Sequence, residues 1–238
     1  MRIVADEKYI SRREWVGQYV GLFSLVVMLG VVVVSFFFLS TLSTLGYVAL
    51  MAAMFGAMML SFVAGYFGER FVGPAAHHTQ VRKELKRLDD QYVLFQYTLP
   101  APHVLLEPSG LTVIVVKSQV GKITCADGKW TQRQRFRFFR QLGGQEALGQ
   151  PDRDVERQVE SMAQYLQVRL PGVEVPIRGV LLFVHPQVEL DVKGPVFPVF
   201  TAKKLKSWLR RSGSETPLPG PVLKQVEQAL RGETNESD

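Results

Sequence analysis

The chain has 238 residues, a formal net charge of +6 at pH 7 and a hydrophobic content of 47%. Its single cysteine, Cys125, excludes an intramolecular disulfide and a zinc site built from several cysteines. The charged residues are unevenly distributed, because no Asp, Glu, Lys, Arg or His occurs between Glu14 and Glu69. So long an uncharged, apolar stretch is not typical of a core helix in a soluble domain.

The uncharged stretch predicts two membrane-spanning helices, over residues 17–39 and 45–67. A helix needs about 20 apolar residues to cross roughly 30 Å of hydrocarbon, and both segments are long enough. The short polar segment 40–44 joins them, so we expect an antiparallel transmembrane hairpin over residues 16–68. The alternative is a helical hairpin buried in a soluble protein, but the rest of the chain is too small to cover it.

Basic residues flank the predicted hairpin on both sides and are absent from its turn. They are Arg2, Lys8, Arg12 and Arg13 before it, and Arg70, Arg82, Lys83, Lys86 and Arg87 after it. Because positively charged flanks stay on the cytoplasmic side, we expect both termini to be cytoplasmic. The pattern thus predicts a multi-pass protein of the inner or plasma membrane with a cytoplasmic N-terminal segment over residues 1–15.

The second span carries a stripe of small residues spaced four apart. They are Ala49, Ala53, Ala57, Ser61 and Gly65. Small residues allow helix backbones to approach closely in lipid, so we expect the stripe to pack against the first span. A homodimer seam, or contact with another membrane protein, is the alternative. Neither span contains an ionisable residue, which argues against a proton or ion pathway.

Beyond the hairpin, the patterns predict one cytoplasmic domain of mixed α and β structure over residues 77–211. Apolar residues at helical spacing predict helices over 79–88, 152–170 and 201–211. Apolar or alternating runs between turn signals predict strands over 91–99, 103–106, 111–117, 120–125, 130–139, 178–185 and 196–200. The remaining residues, 212–238, form an acidic tail that we expect to be mostly disordered, apart from a short helix over 221–230.

The domain is basic, and residues 69–211 contain 22 Lys or Arg against 14 Asp or Glu. Such a surplus suits an anionic partner, either nucleic acid or the anionic inner leaflet of a membrane. Arg133, Arg135 and Arg137 alternate with other residues, and Arg140 follows. In a strand, this spacing puts the guanidinium groups on one face, where they form a ribbon suited to phosphates of nucleic acid or lipid. An ordinary solvated sheet face is the alternative.

A series of motifs in this domain resembles the NERD family, the nuclease-related domain. The run HVLLEPSGLTVIVVKSQVGKI contains a turn at 108–110, a lysine at Lys117 and a Gly-x-Ile segment at 121–123, and ADGKW follows it. Upstream, VRKELKRLDDQYVLFQYTLP resembles the opening helix and strand of the family, and downstream GVLLFVH resembles a later strand. The resemblance covers residues 77–211. It implies an α+β fold in which a PD-(D/E)XK-like mixed sheet is flanked by helices.

The resemblance also implies a nuclease site, from which this chain departs. In the family, two acids on the hairpin strands hold Mg²⁺, and a lysine two residues after the second acid stabilises developing negative charge. The two acids correspond here to Pro102 and Val115, and a third acid, from the first helix, corresponds to His77–His78. Lys117 is the retained motif residue. Proline and valine side chains offer a hard cation no oxygen ligand, so we expect no metal, no cofactor and no nuclease activity.

These observations predict a membrane-anchored NERD-like domain that binds or scaffolds nucleic acid or anionic lipid. Lys117 is expected either to contact phosphate or to face solvent at its strand end. A metal-dependent nuclease, with Mg²⁺ held by other acids such as Glu107 or Asp127, is one alternative. A subunit of a membrane protein assembly is another. Two carboxylates within about 5 Å of each other near the Lys117 amine would favour the rebuilt nuclease site.

Overall fold

The structure, a computed structural model, describes residues 1–38, 42–86, 88–134, 147–212 and 217–232. The chain divides into two compact units. We call Ile10–Ala76 the hairpin unit. The sheet unit comprises Met1–Tyr9, His77–Gln134 and the chain from Leu148 onward.

Two helices make up the hairpin unit, α1 (Glu7–Phe38) and α2 (Thr44–Phe71). Both are long enough and apolar enough to span a membrane. Many of their large apolar side chains are exposed, which a core helix of a soluble protein would not tolerate. Within the unit, the Ser24 hydroxyl donates a 2.8 Å hydrogen bond to the carbonyl of Ala57. One member of the small-residue stripe, Ala57, is therefore buried against α1, while a role for the stripe in a dimer stays a prediction.

A mixed six-stranded sheet forms the centre of the sheet unit, in the order β1-β2-β3-β4-β7-β9. Its strands are β1 (Arg2–Ala5), β2 (Val93–Gln96), β3 (His103–Glu107), β4 (Gly110–Lys117), β7 (Ile177–Phe183) and β9 (Val199–Thr201). β2, β3 and β4 are antiparallel neighbours, and the other pairings are parallel. A second sheet has the order β6-β5-β8, from β5 (Gly121–Ala126), β6 (Lys129–Arg133) and β8 (Val188–Lys193).

Among the described residues, four helices cover the six-stranded sheet, two on each face. They are α3 (His77–Leu85), α4 (Pro151–Arg169), α5 (Ala202–Ser212) and α6 (Gly220–Arg231). Side chains alternate along a strand, so Ile114 of β4 packs in a core with α3 and α5, while Val113 packs in a core with α4 and α6. Because both faces are covered, every residue of β4 is buried. This explains why β4 reads as a continuous apolar run rather than an alternating one.

Two strands differ from the sequence-based expectation. Arg2–Ala5, expected in a separate N-terminal segment, forms a strand parallel to β2. Val188–Lys193 forms a strand that was not predicted. The short helix expected at 221–230 is present as α6, and its Val226 and Leu230 are buried in the core beside α4. Helix α6 is therefore part of the sheet unit rather than an isolated element of a tail.

Candidate functional site

The β3–β4 hairpin places Pro102 and Val115 opposite each other. Val104 and Val113 are the last paired residues at this end of the hairpin, and the same antiparallel register, extended by two positions, puts Pro102 across from Val115. Directly opposed residues project to the same face of the sheet, with Cβ atoms about 4.5–5.5 Å apart. The two positions thus have the geometry that two carboxylates would need to share a cation. Neither residue has a carboxylate, and Val115 packs instead against Val155 of α4.

The side chains at this hairpin do not fit the Mg²⁺ that the resemblance implies. Mg²⁺ requires oxygen ligands in near-octahedral geometry, and neither Pro102 nor Val115 has a side-chain oxygen. The Pro102 carbonyl already accepts a 2.9 Å hydrogen bond from the backbone N–H of Tyr97. Across the ranges that the structure describes, no group of three or more His, Cys, Asp or Glu side chains is arranged to hold a metal ion.

Lys117, the last residue of β4, lies on the same face as Val115 and is only 8% exposed. Its Nζ donates to Asp154 Oδ2 at 2.8 Å and approaches the Leu148 carbonyl at 3.4 Å. Asp154 Oδ1 accepts a second hydrogen bond, from Arg157 Nη2 at 2.7 Å. The ammonium group of Lys117 is thus paired with a carboxylate and does not face solvent, which was one of the two alternatives from the sequence. Contact with phosphate, the other alternative, stays a prediction.

Asp154 is the residue at this site that the sequence analysis missed. It lies in the first turn of α4, which begins at Pro151 and also carries Asp152. Acids in the first turn interact favourably with the positive end of the helix dipole, and proline suits the first helical position. The sequence therefore explains why an acid occurs at this helix start. It does not show that Asp154 lies beside Lys117 at the end of β4, 37 positions earlier in the chain.

Asp152 belongs to a neighbouring set of contacts. Its Oδ2 accepts a 2.7 Å hydrogen bond from Trp130 Nε1, while Oδ1 is buried and has no hydrogen-bond partner among the described residues. The Trp130 ring packs 6.3 Å from the ring of Phe183, centroid to centroid. Trp130 and Asp152 also line a cleft of about 420 Å³, with Lys129 and Arg153 on its walls. Asp152 thus supports the packing of β6 against α4.

The other acids considered for a rebuilt site are held elsewhere. Glu107 is fully buried at the turn end of β3, where its Oε1 accepts hydrogen bonds from Thr112 and from Arg178 Nη2, the latter at 2.8 Å. Glu107 is paired with Gly110, which lies roughly 23 Å along β4 from Lys117 at about 3.3 Å per residue. Asp127 lies in the β5–β6 turn with a left-handed φ of 48°.

Two buried histidines occupy the position that corresponds to the acid of the family's first helix. His77 and His78 begin α3 and are 6% and 8% exposed. The side-chain amide of Gln96 donates to the His78 carbonyl at 3.0 Å and accepts from Arg82 Nε. Arg82 also forms a 2.7 Å ion pair with Glu7. This cluster fastens α3 to β2, on the face of the sheet opposite Lys117.

Of the four residues in the predicted arginine ribbon, the structure describes one, Arg133. Arg133 is the last residue of β6, where it is exposed and paired with Lys122 of β5. Arg135, Arg137 and Arg140 lie outside the described residues. The ribbon therefore stays a prediction.

Comparison with protein families matches residues 64–184 to NERD, the nuclease-related domain. No curated protein and no solved structure matches the chain significantly. The matched segment covers just over half of the chain and contains α3, the β2–β4 strands, α4 and β7. It also contains the hairpin with Pro102, Val115 and Lys117. The chain belongs to the NERD, or nuclease-related domain, family.

Proposed function

We propose that this NERD protein is a membrane-anchored binding module that lacks metal-dependent nuclease activity. The observation that carries the proposal is the composition of the hairpin site. Pro102 is opposite Val115 where a shared cation would need two carboxylates, and Lys117 is paired with Asp154. Each component of the nuclease chemistry that the resemblance implies is therefore missing or already engaged.

Metal-assisted hydrolysis needs carboxylates that hold the cation, which polarises the phosphodiester and activates water. An apolar pair at Pro102 and Val115 removes those ligands. The lysine contributes by stabilising charge that develops in the transition state. With Asp154 at 2.8 Å, the charge of Lys117 is neutralised before any substrate arrives.

The proposed role is binding or scaffolding of nucleic acid or anionic lipid at the cytoplasmic face of a membrane. Two helices suited to membrane spanning and the excess of 22 basic over 14 acidic residues in 69–211 support it. The basic flanks of the hairpin unit favour cytoplasmic termini. Reporter fusions at Met1, Ser43 and Asp238 test this topology, and a non-cytoplasmic signal at Asp238 would contradict it.

A rebuilt nuclease is the second candidate, and one observation favours it. Asp154 places a carboxylate beside the Lys117 amine, and Asp152 lies in the same helical turn. If α4 rather than the hairpin supplied the acids, Mg²⁺ would be the cofactor. This candidate requires Asp154 to exchange its contact with Lys117 for a metal.

A cleavage assay on the full chain in detergent separates the two candidates. We expect no cleavage of DNA or RNA, single- or double-stranded, with Mg²⁺ or Mn²⁺. Metal-dependent cleavage that disappears in both Lys117→Ala and Asp154→Asn would establish the rebuilt nuclease instead. Lys224→Gln, an exposed change on α6 away from this turn of α4, is the matched control, because it should leave any such cleavage intact.

A further inference from the structure

The two helical layers that cover the six-stranded sheet differ in charge. Helix α5, AKKLKSWLRRS, has five basic residues and no acid. Helix α3 and the residue after it contribute Arg82, Lys83 and Lys86, against the single acid Glu84. On the other face, α4 carries four acids and three basic residues. The positive charge is therefore concentrated in the helices of one layer, which we call the α3–α5 layer.

The two helices of this layer lie side by side. Val81 and Leu85 of α3 share a buried core with Leu205 and Leu209 of α5. Where α3 ends, Lys206 Nζ donates a 2.7 Å hydrogen bond to the carbonyl of Lys86. The basic residues of both helices therefore belong to one continuous surface.

Five basic side chains of the α3–α5 layer are exposed. Val81, Leu85, Leu205 and Leu209 are buried and Arg82 is half-buried against Gln96 of β2, whereas the exposed basic residues are Lys83, Lys86, Lys204, Arg210 and Arg211. Among the neighbouring acids, Glu84 is partly exposed, and Asp89 and Asp90 are exposed in the turn before β2. Cations thus outnumber acids on this surface, so it will attract phosphate groups.

The chain itself indicates which phosphate-bearing surface lies nearest. Only residues 72–76 separate α2 from α3, and five extended residues span at most about 18 Å. If α2 crosses a membrane, α3 cannot move far from the lipid headgroups. Each Lys or Arg in a basic cluster next to a membrane span increases the binding constant for an anionic leaflet by about fivefold. Because of the tether this contact is intramolecular, whereas nucleic acid would have to be recruited from solution.

We propose that the α3–α5 layer docks onto the phosphate headgroups of an anionic lipid leaflet. This inference rests on the membrane anchoring in the proposed function, but it is independent of whether the hairpin site cleaves nucleic acid. It assigns the lipid contact to helices α3 and α5 rather than to the predicted arginine ribbon.

The test uses the full chain in lipid nanodiscs, with a fluorophore on Ser207→Cys of α5. Ser207 is exposed, and Cys125, which is buried, is replaced by alanine so that the label attaches at one position. A quencher on the lipid headgroups reports docking. We expect quenching in discs that contain phosphatidylglycerol, little in discs of phosphatidylcholine alone, and release by added salt as the charges are screened.

Two matched triple variants complete the test. Lys204→Gln, Arg210→Gln and Arg211→Gln together should lower the ratio of docked to undocked chain by about 100-fold. Arg153→Gln, Lys193→Gln and Lys224→Gln remove three exposed cations elsewhere in the sheet unit and should change that ratio less than twofold. Thermal unfolding checks that both variants are folded. If a variant does not fold, the dependence of quenching on salt and lipid in the parent chain still tests the proposal.

Three results would overturn the proposal. One is equal quenching in anionic and zwitterionic discs. Another is equal loss of docking in the two triple variants. The third is a label that responds to duplex DNA in phosphatidylcholine discs more strongly than to phosphatidylglycerol, which would assign the layer to nucleic acid. Because none of these readouts involves cleavage, a failure here is distinguishable from the discovery of nuclease activity.

Discussion

Lys117 and Asp154 form a 2.8 Å ion pair that connects the last residue of β4 to the first turn of α4. The lysine side chain is 9% exposed and the aspartate side chain 30% exposed. A charge as buried as that of Lys117 requires a partner, because desolvation without compensation costs several kcal/mol. The same contact that would suppress catalysis by the lysine therefore stabilises the β4–α4 packing.

The two partners of this pair should respond unequally to substitution. Asp154→Asn leaves the buried ammonium of Lys117 without a counter-charge, and we expect a loss of about 2–3 kcal/mol of unfolding free energy. Lys117→Met keeps the aliphatic volume and leaves Asp154 paired with Arg157, so we expect a loss below about 1 kcal/mol. Thermal or denaturant unfolding, followed by tryptophan fluorescence, measures both. Equal effects, or a larger loss in Lys117→Met, would contradict this assignment.

The position of α4 depends on Gly179 of β7. A Cβ atom at Gly179 would lie 2.2 Å from Val155 Cγ1 and 2.9 Å from Val159 Cγ2, so the helix contacts the strand directly. We expect Gly179→Ala to destabilise the sheet unit by about 1–3 kcal/mol through overpacking. Adding Val155→Ala should recover part of this loss. Gly220→Ala, where a Cβ meets nothing within 4 Å, is the control and should be close to neutral.

A pH effect follows from Glu227 of α6. Its burial raises the pKa, but hydrogen bonds and ion pairs with Arg2 and Arg231 outweigh burial and hold the pKa of Glu227 below its ordinary value. The resulting stability is present above the ordinary glutamate pKa of about 4.3 and is lost as the pH falls through the lower, folded-state pKa.

Glu227→Gln should therefore be less stable than the parent chain at neutral pH, by about 1–2 kcal/mol. The difference should shrink as the solution is acidified below about pH 4. Thermal unfolding of both chains over a pH series measures it. A stability difference that is constant with pH would show that the ion pairs with Arg2 and Arg231 contribute no linked stability.

The predicted arginine ribbon is tested by nucleic-acid binding. We expect the full chain in phosphatidylcholine discs to bind duplex DNA with a steep salt dependence, because several phosphate contacts release counterions. Changing Arg133, Arg135 and Arg137 together to Gln should flatten the log–log slope by roughly two to three, at about 0.9 per phosphate contact. An unchanged slope would show that these residues form an ordinary solvated surface.

Most helices and strands of the sheet unit could be predicted from the sequence. Strands such as β4 and β7 are buried on both faces, and helices such as α4 have one apolar face, so each leaves a clear hydrophobic pattern. Two strands were missed for different reasons. Arg2–Ala5 has four residues and is ordered by pairing with β2, which no local pattern contains. Val188–Lys193 alternates half-buried valine and leucine with exposed charged residues, so the period of a half-buried strand was present in the sequence and was overlooked.

The candidate site was predictable where it depended on register and not where it depended on packing. The expectation that Pro102 and Val115 stand where the family has two acids came from the resemblance to its motifs, and the β3–β4 pairing placed both positions in one hairpin. The partner of Lys117 did not, because Asp154 approaches it only through the docking of α4 on the sheet. For the same reason, the burial of α6 beside α4 could not be read from a tail rich in proline and glycine.

The central claim is that the hairpin site does not bind a nuclease metal. Titration of the full chain with Mn²⁺, followed by electron paramagnetic resonance, tests this claim most directly. The account predicts no saturable Mn²⁺ binding and no difference between the parent chain and Asp154→Asn. It would be contradicted by one tightly bound Mn²⁺ per chain that Mg²⁺ displaces and that Asp154→Asn abolishes.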